Sequence, residues 1–139
     1  MYNIEKLINY IRYNNIEAIK YLLDNNLIDI NIQDVDDCTP LMYALYYNKI
    51  EIVKLLLSYK DINVNIQNKW KSTVLILASF NNYIEIVKLL LNYPGIKLSL
   101  KDDWNKTALN YAKEYNYKEI IDLLVNHDRK EKLKLLKYV

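Results

Sequence analysis

A chain of 139 residues, 52% hydrophobic and 26% charged, is long enough to bury one core and needs no second domain. Its 19 Lys and Arg against 17 Asp and Glu leave a net charge of +2, short of the basic footprint of a dedicated nucleic-acid binder. One cysteine (Cys38) and one histidine (His127) exclude an intramolecular disulfide and a clustered transition-metal site, and a lone glycine (Gly95) excludes a Gly-rich phosphate loop.

The N-terminal residues carry charge early and lack the apolar core of a secretory signal. The longest apolar runs, such as Leu41 to Tyr47, fall far short of the ~20 residues of a membrane helix. No membrane span is expected, and the chain reads as soluble and cytoplasmic, although export through another kind of signal would leave no mark here.

Helical patterns run over Ile4 to Tyr13 and Ile16 to Leu23. Next comes Thr39-Pro40, a helix start in which the Thr hydroxyl can accept a free backbone N–H and Pro fits the first helical position. The helix it opens is expected to reach about Tyr47. Asn48 then marks a sharp corner, because Asn tolerates the left-handed region better than any residue but Gly. A second helix is expected from Ile50 to about Tyr59, with Ile50, Val53, Leu56 and Leu57 as its buried stripe. Alternating Ile62, Val64 and Ile66 suggest a short extended, hairpin-like arm.

The same pattern then recurs. Thr39, Thr73 and Thr107 are 34 residues apart, as are Asn14, Asn48, Asn82 and Asn116, and Leu22, Leu56, Leu90 and Leu124. Such a period specifies stacked units that bury their apolar faces only against their neighbours. The expected architecture is all-α, with about four helix-turn-helix units over residues 1–34, 35–68, 69–102 and 103–139, forming a single domain. The first unit lacks the Thr-Pro start and has Tyr10 where Ala44, Ala78 and Ala112 follow, as befits an N-terminal cap. The polar residues from Asn126 onward read as a helical C-terminal cap. Their cations, Arg129, Lys130, Lys132, Lys134 and Lys137, with Leu133 and Leu136, would also suit an acidic or membrane surface, the lesser reading.

Thr39-Pro-Leu-Met-Tyr-Ala44 with Ile50-Glu-Ile-Val-Lys-Leu-Leu-Leu57 resembles the ankyrin-repeat family, whose motif is Thr-Pro-Leu-His-x-Ala. Ser72 to Ala78 with Ile84 to Leu91, and Lys106 to Ala112 with Glu119 to Leu124, repeat the likeness over nearly the whole chain. The resemblance implies an ankyrin-repeat solenoid with hairpin-like connecting loops. Three departures stand out. Met42, Ile76 and Asn110 replace the motif His, so its hydrogen bonds must be lost or substituted. Each repeat is one residue longer than the usual 33, with the extra residue expected near Lys60 and Pro94. Turn positions that favour Gly hold Asp37, Lys71 and Asn105, which predicts a strained Lys71 or a changed turn type.

In that family the fingertips and the exposed end of the first helix of each repeat bind other proteins. Carried over by motif position, the surface is Val35, Asp36, Cys38, Tyr46 and Tyr47 in the second unit. It continues as Lys69, Trp70, Ser72, Phe80 and Asn81 in the third, and Asp103, Trp104, Lys106, Glu114 and Tyr115 in the fourth. Both tryptophans and the single phenylalanine fall on it. Such residues are enriched in binding hot spots, and Trp70 and Trp104, 34 apart, are expected to stand side by side. The alternative is that they pack between fingertips.

The tips differ in charge: Asp34, Asp36 and Asp37 are acidic, Lys69 and Lys71 basic. Opposite polarity of this kind would steer a partner into one register. The three aspartates read as solvated turn residues, with a weak calcium site as the lesser reading. The expected function is a non-enzymatic interaction module, monomeric and without cofactor or metal, whose partner is a protein. The competing readings are a purely structural spacer or single-stranded nucleic acid stacked on Trp70 and Trp104 beside Lys69, Lys71 and Lys106.

Overall fold

The computed structural model describes residues 3–138, which fall into two compact units within residues 1–74 and 75–139. The first holds α1 (Ile4–Arg12), α2 (Ile16–Asp24), α3 (Pro40–Tyr46) and α4 (Ile50–Leu57). The second holds α5 (Val74–Phe80), whose first residue lies at the boundary, α6 (Ile84–Leu91), α7 (Ala108–Glu114) and α8 (Lys118–Leu136). Among the described residues there are four helix pairs and no strand. The architecture is the all-helical array of about four helix pairs that the period implies.

Side chains that take orphan amides open several of these helices. Asn3 accepts from the Lys6 N–H, Asn15 from Ala18 and Thr39 from Met42. At α7 the cap is reciprocal: Thr107 accepts from the Asn110 amide, and the Asn110 side chain accepts from the Thr107 amide. Asn110 thus makes a polar contact at the motif-His position, whereas Met42 and Ile76 are simply buried.

Every helix pair turns on the same corner. Asn14, Asn48, Asn82 and Asn116 all lie in the left-handed region, with φ of 59°, 51°, 57° and 57°. The next residue's amide reaches back to a carbonyl five positions earlier: Asn15 to Tyr10, Lys49 to Ala44, Tyr83 to Ala78 and Tyr117 to Ala112, each at 2.8 or 2.9 Å. The Asn amide itself bonds the carbonyl three back, as Asn48 does to Leu45 at 2.9 Å. This pair of bonds closes the helix end as a Schellman motif, and it requires a residue tolerant of positive φ.

In the first unit α1 packs on α2 and α3, and α3 on α4, around Leu7, Ile11, Ile19, Leu22, Leu41, Met42, Leu45 and Leu56. In the second, α8 packs on α6 and α7, with Leu75, Ile86, Val87, Leu90, Ile120 and Leu124 buried. The buried stripe of α4 corrects the single-stripe expectation. Ile52, Val53 and Leu56 are buried, while Ile50 and Leu57 are only half-buried. A helix inside a stack is covered on more than one side, so one amphipathic stripe describes it incompletely. The arm after α4 forms turns rather than a strand; it buries Ile62 and Val64 but leaves Ile66 half-buried.

Candidate protein-interaction surface

Each fingertip is a tight turn held by one side chain. Asp34 Oδ1 accepts the amides of Asp36 and Cys38, both at 2.9 Å. Asn68 Oδ1 accepts those of Trp70 and Ser72, both at 3.0 Å, and Asp102 Oδ1 those of Trp104 and Lys106 at 3.0 and 3.1 Å. Asp and Asn are favoured here because a short side-chain oxygen can mimic the backbone acceptor of a turn. Backbone bonds from Asp34 to Cys38, Asn68 to Ser72 and Asp102 to Lys106 close the three hairpins. Each also passes through positive φ, at Asp37 (58°), Lys71 (59°) and Asn105 (60°). The turn type is therefore kept despite the missing glycines, and Lys71, with no local side-chain acceptor to offset the steric cost, carries the strain.

Two tips have a further tie that composition does not reveal. The Tyr43 hydroxyl donates to the second carboxylate oxygen of Asp34, and the Tyr111 hydroxyl does the same to Asp102. Burial and the carboxylate bond both raise the Tyr43 and Tyr111 hydroxyls above their usual range. Burial opposes charge on Asp34, but the Tyr43 hydroxyl and the amides of Cys38 and Asp36 outweigh it and hold the carboxyl low. Asp34 is thus a half-buried structural anchor, which corrects its reading as a solvated turn residue. The available signal was the nine-residue Asp-to-Tyr spacing, present at Asp34 and Tyr43 and again at Asp102 and Tyr111.

In the first unit Val35 is 96% exposed at the crest of its tip, and Trp70 is 38% exposed on the next. Asp36 and Lys69 pair at 2.5 Å, and the Lys69 amide donates to the Asp36 carbonyl at 3.0 Å. Lys69 Nζ also lies 4.6 Å from the centre of the Trp70 ring. The acidic and basic tips therefore engage each other, which leaves less free charge for steering than their sequences suggest. Tyr46 is exposed, with its hydroxyl pushed up to about 12 by burial and by neighbouring Cys38 and Asp34. Tyr47 is half-buried, accepts from Arg12 at 2.7 Å and stacks against Tyr43. Cys38 and Ser72 are buried beneath the tips, and burial together with the Asp34 charge raises the Cys38 thiol.

In the second unit Trp104 is 63% exposed. Phe80 meets Tyr111 and Tyr115 edge-on, both with centroids 5.4 Å apart, and Tyr115 stacks on Tyr117. Exposed Asn81 donates from its side-chain amide to the Leu77 carbonyl at 2.8 Å. Lys106 pairs with Glu114 at 2.5 Å and lies 5.2 Å from the Tyr111 ring centre, while Asp103 is exposed. The sequence reading missed Tyr111, which joins the aromatic cluster to the anchor of the Trp104 tip.

Among the described residues no three His, Cys, Asp or Glu side chains converge as a metal ion would need, and no helix is long and apolar enough to cross a membrane. The paired helices, left-handed Asn corners and amide-capped tips define a repeat scaffold. The chain belongs to the ankyrin-repeat family: the model for ankyrin repeats in three copies matches residues 5–68 and 61–134. The curated proteins give no match. Ankyrin repeats are generally protein-protein interaction modules and typically non-catalytic.

Proposed function

We propose that this chain is a non-enzymatic adaptor of the cytoplasm that binds one protein through its fingertips and the adjoining ends of α3, α5 and α7. The observation that carries the reading is the exposure of Trp104 and Trp70 on tips whose turns are already closed by Asp102 and Asn68. Neither ring is fully buried, so Trp104 offers most of its rigid area to a partner and Trp70 the smaller part that Lys69 and the tip leave open. Val35, Asp36, Tyr46, Tyr47 and Lys69 extend the surface in the first unit; Phe80, Asn81, Asp103, Lys106, Glu114 and Tyr115 extend it in the second. Buried Cys38 and Ser72 support the surface from beneath. Lys69, drawn over the Trp70 ring and tied to Asp36, covers a face that a stacked nucleobase would need.

The test is affinity capture with the wild-type chain and a Trp70→Ala/Trp104→Ala variant of unchanged circular dichroism. A protein held by the wild type and lost by the variant, with titration giving a loss of about 2 kcal/mol or more, is the expected result. Partners that bind both chains equally well would exclude the tips as the docking face.

A further inference from the structure

Helix α8 has 19 residues, against eight in α4 and α6, and its packing ends long before the helix does. Ile120 and Leu124 are buried and His127 is partly covered, but every described side chain from Asp128 to Tyr138 is exposed. Four of these are large and apolar: Leu133, Leu135, Leu136 and Tyr138, the last 90% exposed. The same stretch carries five Lys and Arg against two carboxylates. Asp128 and Glu131 are taken up by Lys132 and Lys134, and Arg129, Lys130 and Lys137 have no ion pair among the described residues. The rest of the chain has a slight acidic excess, so the net positive charge of the molecule resides on these last turns.

We propose that residues 129–138, the end of α8 and the turn that follows it, dock on an anionic phospholipid surface, with Leu133, Leu135, Leu136 and Tyr138 entering the interface and the cations meeting the headgroups. Charge complementarity selects an acidic occupant. The distribution of apolar groups then selects a lipid surface. Leu133 and Leu136, three apart, share one side of the helix, whereas Leu135 lies roughly 200° round the axis from Leu133, and Tyr138 follows in the turn past the helix end. One groove of a protein, or one face of a second copy, would cover a single side. Lipid deforms around the whole helix, and the ~9 Å spanned by residues 133–138 is comparable to the usual interfacial depth of ~5–10 Å. Long Lys and Arg stems beside the leucines can keep their charges at the headgroups.

The full chain is mixed with sedimenting vesicles of phosphatidylcholine alone or with phosphatidylserine added, at low and raised salt. Binding is expected only where phosphatidylserine is present, and it should weaken as salt rises. The Arg129→Gln/Lys130→Gln/Lys137→Gln variant should lose roughly fivefold in partitioning for each cation removed. The Leu133→Gln/Leu135→Gln/Leu136→Gln variant, which keeps the charge and helix propensity, should lose about tenfold or more. Circular dichroism of both variants should match the wild type, because none of the six side chains is buried. The proposal is overturned by absence of binding to the phosphatidylserine vesicles at low salt, or by binding that the leucine variant leaves unchanged. It is also overturned if sedimentation equilibrium shows a dimer that the leucine variant dissociates, since a second copy would then cover these residues.

Discussion

The fingertips after Asp34 and after Asn68 share one backbone turn yet are anchored differently. In both, Oδ1 takes two amides and the residue three positions on adopts positive φ. The difference lies in the second side-chain atom. Asp34 has a spare carboxylate oxygen, which recruits the Tyr43 hydroxyl and ties the tip to α3. Asn68 has an amide group there, which lies against the Cys38 sulfur at 4.0 Å, a weak contact, and beside the Tyr46 hydroxyl. The turn itself needs one oxygen, so Asp and Asn are interchangeable for its backbone. They are not interchangeable for the tip's stiffness or its response to pH, and the Trp70 tip is the one without a tyrosine bound to a carboxylate.

Leu56→Ala removes a fully buried side chain from the unit that carries both tips, and a loss of about 2–5 kcal/mol is expected in denaturant unfolding. A change below ~0.5 kcal/mol would mean that Leu56 is not a core position at all.

Asp34→Ala strands two amides and the Tyr43 hydroxyl, and should cost about 1–3 kcal/mol. Asn68→Ala strands the two amides but loses only weak contacts of its amide group, and should cost less. Equal losses would show that the tyrosine tie contributes nothing.

Acid sharpens the same contrast. The folded Asp34 carboxyl lies below its ordinary 3.8, so its contribution is complete above the unfolded value. It is lost as pH falls through that value and on through the lower folded one. The wild type should therefore lose more stability over that acid range than Asp34→Asn, which retains an oxygen for the amides but has no ionisable group. Parallel curves for the two chains would deny Asp34 this role.

The smallest effect is expected at Lys71. Lys71→Gly relieves left-handed strain of about 1–2 kcal/mol but adds backbone freedom to the unfolded chain, for a net gain of roughly 0.5–1 kcal/mol. Asp37→Gly and Asn105→Gly should gain less, because Asp and Asn tolerate that region better. A Lys71→Gly variant less stable than the wild type would place another interaction of Lys71 above its strain.

Much of the scaffold is legible residue by residue. Thr39 caps its helix, Asn48 turns the corner, and the position of Lys71 demands positive φ, all from local chemistry that returns at each 34-residue step. The surface is less legible. Motif position groups Cys38 with Val35 and Ser72 with Trp70, yet within each pair one side chain is buried and the other exposed. Helix ends were readable only to within a residue or two, as with α4, which stops at Leu57 rather than near Tyr59.

The sequence by itself determined the repeat length, the helix starts, the left-handed corners and the family, because each depends on residues within a few positions of one another and is reinforced by repetition. It took the packed structure to show that Asp36 and Lys69 pair across adjacent tips, that Tyr43 and Tyr111 anchor aspartates, and that α8 runs bare from Asp128 onward. Those outcomes depend on which side chains the packed helices bring within a few ångströms. A period in the chain fixes that backbone register without saying how each particular side chain will use it.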